Sequence, residues 1–294
     1  MHQHLLSYRR RRYLRLSLGL LVASLLIYFS QAPTLPRNGG SWQGYTLGGV
    51  ATAMILWLAW LGLRKRSYRS SLGTVQGWTS AHVWLGLSVL PIAALHGAFQ
   101  FGWNVHTLAF VLLTAVVLSG IYGMFAYLTL PQRLVRVHGD QSRADWLTEL
   151  NAIDARLREL AVDADARTQA IVESAVDRTS LGGGVLAQWF GFDRSRVLDP
   201  AAAGQGSRLL GNRGQQRLID FLAARIPLAE QRGEVAMLQE LLALAGRRRR
   251  VLDTLRKGVR LNARLKLWLL LHIPLTLGLL SALTVHILVV FLYW

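Results

Sequence analysis

AHVWLGLSVLPIAALHGAF, residues 81–99, is an apolar run whose only ionisable residues are His82 and His96, fourteen positions apart. A second run, LHIPLTLGLLSALTVHILVV at residues 271–290, repeats the spacing with His272 and His286. A helix rises about 1.5 Å per residue at 3.6 residues per turn, so fourteen residues make just under four turns. Each pair therefore shares one helix face, its members about 21 Å apart.

Working outward, the rest of the apolar content is gathered the same way. The chain is 52% hydrophobic over 294 residues, with mean hydropathy +0.30. Its apolar spans fall at 14–31, 46–63, 79–98, 105–129 and 267–293, each near the ~20 residues needed to cross a hydrocarbon core. All 16 acidic residues lie between Asp140 and Asp253, and the spans contain no charged residue except Arg15 at the first edge. The expected fold is an all-α integral membrane bundle of five transmembrane helices. A helical cytoplasmic insertion lies between the fourth and fifth. This divides the chain into 1–130 (helices one to four), 131–264 (the insertion) and 265–294 (helix five).

A net charge of +17 raises nucleic acid as a partner, but the basic residues cluster at span boundaries. Arg9 to Arg12 and Arg15 form one group, Arg64, Lys65, Arg66 and Arg69 a second, and Arg256, Lys257, Arg260, Arg264 and Lys266 a third. By the positive-inside rule these groups are cytoplasmic, so the partner is membrane lipid and not nucleic acid. The N-terminus is then expected in the cytoplasm and the C-terminus outside, in a membrane of bacterial cytoplasmic type. The loops 32–45 and 99–104 fall outside, where Trp42, Tyr45, Trp103 and Trp294 suit an aromatic belt. The basic start followed by an apolar run also resembles a signal peptide. Pro33 directly after Ala32 makes a poor cleavage junction, so an uncleaved helix is expected.

With no cysteine, disulfides, iron–sulfur clusters and C-x-x-C-H heme attachment are excluded. Histidine is the ionisable residue left inside the spans, at 82, 96, 106, 272 and 286, and an intramembrane ionisable side chain points to function. Two crossings separate the third and fifth spans, so both run from cytoplasm to exterior. His82 then matches the level of His272 on the cytoplasmic side, and His96 that of His286 on the outer side. Each level offers two neutral imidazoles to one iron, the ligand geometry of two stacked hemes. Zinc or non-heme iron ordinarily recruits a carboxylate or a third histidine, and the spans hold no carboxylate. Structural histidines that only pack are the bland alternative.

These two segments resemble the heme-bearing helices of diheme membrane b-type cytochromes. The arrangement is similar to that of the ferric reductase and NADPH oxidase superfamily, where the third and fifth helices each supply two histidines, and to respiratory cytochrome b. The resemblance implies two non-covalent b-type hemes, with His82 and His272 as axial ligands of the inner iron and His96 and His286 of the outer. It covers the membrane helices, about half of the chain, and rests on a spacing. The superfamily's sixth helix and C-terminal flavin and nucleotide module have no counterpart here, and no G-x-G-x-x-G fingerprint follows a strand. About 135 residues are instead inserted between helices four and five.

Bis-histidine iron has no open position and suits one-electron transfer. The expectation is a diheme cytochrome b subunit carrying electrons between a cytoplasmic redox partner and quinone or an outer acceptor. The partner is expected to be a flavin or iron–sulfur protein docking on residues 131–264. A stand-alone transmembrane ferric reductase and a non-redox membrane scaffold are the alternatives, and no substrate or nucleotide site is legible in the chain. Gly48, Gly49, Gly62, Gly86, Gly120, Gly123 and Gly278 fit low walls beside a flat macrocycle or ordinary close helix packing. Arg64, Lys65, Arg69, Arg133 and Arg264 are candidate counter-charges for propionates or topology anchors. His106 could hydrogen-bond a quinone or propionate, replace His96, or sit at the interface.

Within the insertion, Trp146, Leu150, Ile153, Leu157 and Leu160 recur at helical spacing, and Ser142 with Asp145 forms an N-cap signature. Gly182, Gly183, Gly184, Gly191, Pro200, Gly204, Gly206, Gly211 and Gly214 break the pattern. Gly182–Gly184 and Gly204–Gly206 read as flexible linkers, since no Lys-Ser/Thr of a P-loop follows them. Helicity is expected to resume at Gln215 and to run into the fifth membrane helix. The Arg247–Arg250 run is expected to bind acidic lipid or an acidic partner face.

Overall fold

The computed structural model describes residues 8–32, 37–66, 73–139, 141–201 and 208–292. Pro33, Arg69, Gly204, Gly206 and Trp294 lie outside the described residues. The chain is nearly all-α, with 81% of it helical. In order, the helices are α1 (Tyr8–Phe29), α2 (Trp42–Arg66), α3 (Val75–His96), α4 (Val105–His138), α5 (Arg143–Val162), α6 (Ala166–Asp177) and α7 (Val185–Phe190). A short antiparallel pair, β1 (Arg196–Leu198) and β2 (Leu209–Gly211), precedes α8 (Gln216–Arg225) and the long α9 (Arg232–Leu292).

Five helices, α1 to α4 and α9, are long and apolar enough to cross a membrane. Their exposure pattern is inverted relative to a water-soluble protein. Leu26, Leu63, Leu118, Leu270 and Leu277 are exposed, whereas Ser17, Ser24, Ser80 and Ser88 are buried. A hydrocarbon solvent explains this, because apolar side chains gain nothing by leaving it while small polar groups permit close helix contact. Ser17 shows how such a group is satisfied, its hydroxyl donating to the Trp84 carbonyl at 2.9 Å.

The chain divides into two compact units, one of residues 1–125 with 268–294 and the other of 126–267. In the first, α3 packs against α1 and α2. Its core joins Leu47, Ala51 and Ile55 of α2, Leu85, Val89 and Ile92 of α3, Leu113 of α4, and Leu279 and Leu283 of α9.

The second unit has a core of its own, from Leu150, Ile153 and Leu157 of α5 through Val172, Val197, Leu218 and Leu222 to Leu241 and Leu252 of α9. The capping box at the start of α5 is present, Ser142 Oγ accepting from the Asp145 amide and the Asp145 carboxylate from the Ser142 amide. The described residues on either side of 202–207 form the short strands β1 and β2. Val197 of β1 is fully buried, and the Leu198 amide donates to Ser174 Oγ of α6 at 3.0 Å. Three-residue strands are too short to show a period in sequence, and a contact between residues 174 and 198 is not local.

Within the four-arginine run, three side chains have partners in the same unit, while Arg247 and Arg250 remain exposed. Arg248 is 1% exposed and its guanidinium donates to Asp154, Thr179 and Gln215, at 2.6, 2.9 and 2.7 Å. Arg247 pairs with Glu149, and Arg249 donates to Gln216. Helical periodicity aims three successive arginines at three different neighbours, so a cluster in sequence is dispersed in space.

Candidate functional site

Each histidine of the two pairs is placed by a helix, and three have one ring nitrogen already committed. His82 Nδ1 lies 3.2 Å from the Leu58 carbonyl of α2, and His96 Nδ1 lies 2.8 Å from the Gly44 carbonyl. A carbonyl oxygen can only accept, so in both rings the proton sits on Nδ1. His272 Nδ1 lies 2.7 Å from Ser119 Oγ of α4. The Ser119 hydroxyl also lies 2.8 Å from the Val116 carbonyl, so its one proton goes either to that oxygen or to His272 Nδ1. In His82 and His96 the Nε2 lone pair is left for a ligand, the tautomer that metal-binding histidines adopt when an oxygen holds their other N–H. His286 differs, since its buried Nδ1 has no hydrogen-bond partner among the described residues.

On the cytoplasmic-side level of the expected topology, His82 and His272 line one cavity of about 90 Å³. Its walls are apolar, with Ile55, Leu58, Val83, Leu113, Val116 and Leu279 contributed by α2, α3, α4 and α9. Two of the expected glycines, Gly86 and Gly120, belong to the lining. At the other level the His96 and His286 rings have centroids 6.0 Å apart and planes 76° apart. Two imidazoles sharing one ion at about 2 Å per bond place their centroids roughly 6 Å apart. The structure thus brings His82 and His272 to one cavity, and the His96 and His286 rings to a separation that two imidazoles on opposite sides of one ion would have.

The other sequence candidates are sorted by the structure. Gly48 abuts the His96 ring so closely that a Cβ there would lie 2.8 Å from Cε1 and 2.9 Å from Nδ1. Gly123 lies under the Trp268 indole, which sits one turn before His272 with ring centroids 5.6 Å apart. Gly49, Gly62 and Gly278 have open space where a Cβ would go, so nothing at the site requires them. His106 is exposed, yet its ring packs edge-on to His286 with centroids 4.4 Å apart. His96, His106 and His286 are thus neighbours, although among the described residues no three potential ligands are arranged as a metal-holding group. Arg64 is spent on the loop at the start of α3, donating to the Gly73 carbonyl at 2.7 Å. Arg133 and Arg264 belong to the other unit.

Sequence reasoning passed over the oxygens bonded to these imidazoles. Backbone carbonyls carry no residue signal, and Ser119 is one of several serines in the spans. Trp57 and Trp78, stacked 4.8 Å apart at an interplanar angle of 11°, were also missed. Trp78 precedes His82 by four residues, the spacing of neighbours on a helix face.

No protein-family model matches this chain, and neither a curated protein nor a solved structure matches it.

Proposed function

We propose that the chain is a diheme b-type cytochrome subunit that conducts electrons across a membrane, between a cytoplasmic redox protein and quinone or an outer-side acceptor. The observation that carries this reading is the state of the four imidazoles. They stand in two sets on α3 and α9; His82 and His96 hold Nδ1–H on a carbonyl oxygen with Nε2 available, and His272 Nδ1 is hydrogen-bonded to Ser119. His82 with His272, and His96 with His286, would hold a heme each, which would supply reversible one-electron chemistry.

The chain's own residues supply placement and surroundings. The Leu58 carbonyl and Ser119 hydroxyl orient His82 and His272, and the Gly44 carbonyl orients His96. The apolar lining between His82 and His272 keeps water from the inner set. Five membrane crossings, with the N-terminus and the 126–267 unit on the cytoplasmic side, follow from the basic clusters under the positive-inside rule. That unit is the docking platform for the cytoplasmic partner.

The test is a redox-titrated absorption spectrum of the purified protein beside His82→Ala, His96→Ala, His272→Ala and His286→Ala. Two b-type components are expected. The His82 and His272 variants should lose one and the His96 and His286 variants the other. A protein that binds no reducible pigment would leave a scaffold, and any other grouping would overturn the pairing.

A further inference from the structure

Within the 126–267 unit, α7 ends in a way that puts large apolar side chains into solvent. Gly191 closes the helix at φ +69°, its amide donating to the Gln188 carbonyl at 3.2 Å while the Phe192 amide reaches the Ala187 carbonyl at 3.1 Å. This paired 5→2 and 6→1 closure is the Schellman arrangement, and it turns the chain sharply between two phenylalanines. Phe190 and Phe192 stand side by side with ring centroids 5.6 Å apart, 64% and 58% exposed, and Leu186 one turn earlier is 61% exposed. Water is a poor solvent for such a patch, and a contiguous exposed apolar surface marks a binding face.

The neighbouring charges indicate what covers it. A side chain at Gly191 would run into the Arg260 guanidinium, so the closing turn of α7 lies directly on α9 at that residue. Lys257, Arg260 and Arg264 follow at three- and four-residue intervals and share one face of α9. Among the described residues none of the three has an ion-pair partner. Arg260 precedes by only seven positions Leu267, where the charge-free stretch of the fifth span begins. Aromatic and aliphatic side chains beside unpaired cations, close in the chain to a membrane-crossing segment, match an interfacial anchor on an anionic leaflet.

We propose that α7 is a membrane-surface finger, in which Leu186, Phe190 and Phe192 enter the acyl boundary of an acidic leaflet while Lys257, Arg260 and Arg264 contact its phosphates. This is independent of whether heme binds, and it gives the 126–267 unit a third attachment besides α4 and α9.

The absence of cysteine makes the full chain suitable for single-site labelling. Leu186→Cys, Phe190→Cys and Phe192→Cys, with Val162→Cys as an exposed apolar control at the end of α5, are spin-labelled in nanodiscs of phosphatidylcholine and phosphatidylglycerol. The expected result is severalfold greater relaxation by oxygen than by a water-soluble nickel chelate at 186, 190 and 192, and the reverse at 162. The same relaxation at all four positions would overturn the proposal. Shielding from both reagents at 186, 190 and 192 would also overturn it, because a protein surface would then cover the patch. Removing phosphatidylglycerol is expected to lower the oxygen preference severalfold, and an unchanged preference would overturn the role given to the three cations. All four labelled residues are exposed, so the substitutions leave the core intact.

Discussion

At the scale of single residues, Gly48 carries the sharpest steric consequence. Helix α2 passes the His96 imidazole with only a hydrogen atom between backbone and ring, and a methyl group would meet both Cε1 and Nδ1 inside 3 Å. The same ring must keep its hydrogen bond to the Gly44 carbonyl. Gly48→Ala is therefore expected to displace His96 and to weaken the outer site's hold on its ligand roughly 10–100-fold, the scale of losing a metal ligand's supporting contacts. Gly49→Ala, on the open side of the same helix, should leave the spectrum unchanged. Equal effects of the two variants on the outer spectral component would remove Gly48 from the site.

At the scale of elements, the loop between β1 and α7 is fastened to α9 through Asp193. Its carboxylate, 8% exposed, pairs with Arg256 at 2.9 Å and accepts from the Gly214 amide at 2.8 Å and the Ser195 amide at 3.0 Å. Burial pushes the Asp193 carboxyl up, but these hydrogen bonds and the Arg256 charge outweigh it and hold it below the usual carboxylate range. Because the folded value is depressed, the stabilisation is complete above the unfolded value near ~3.9 and is lost as pH falls through the folded value. Acidification is thus expected to loosen this unit below about pH 4. Asp193→Asn should cost about 2–3 kcal/mol at neutral pH, the scale of hydrogen bonds to a charged group, and should flatten that acid dependence. Limited proteolysis of the 178–215 region across a pH series would measure it, and an unchanged profile in the variant would refute the assignment.

At the scale of the whole molecule, the division into two units predicts separable functions. The four paired histidines lie in one unit, whereas all 16 acidic residues lie between 140 and 253 in the other. Replacing residues 142–250 by a short linker is expected to abolish capture of a cytoplasmic redox partner while preserving both spectral components. Loss of the components together with the partner would show that the units are not independent.

What the sequence alone determined is what depends on periodicity and on solvent. Five apolar spans with no charge but Arg15 at the first edge, two histidine pairs fourteen apart and the segregation of acidic residues follow from the pitch of a helix and from the cost of charge in hydrocarbon, both local in the chain. The α5 cap was legible for the same reason, since Ser142 and Asp145 are three residues apart. Tertiary structure decided which oxygens hold the imidazoles, that Gly48 touches a ring while Gly49 does not, and that Arg248 is buried beside Asp154 while Phe190 is exposed. Those outcomes turn on the rotation of one helix against another and on pairs up to 153 residues apart, as in Ser119 with His272. No single segment's composition encodes such a meeting, because it exists only when two surfaces are brought together.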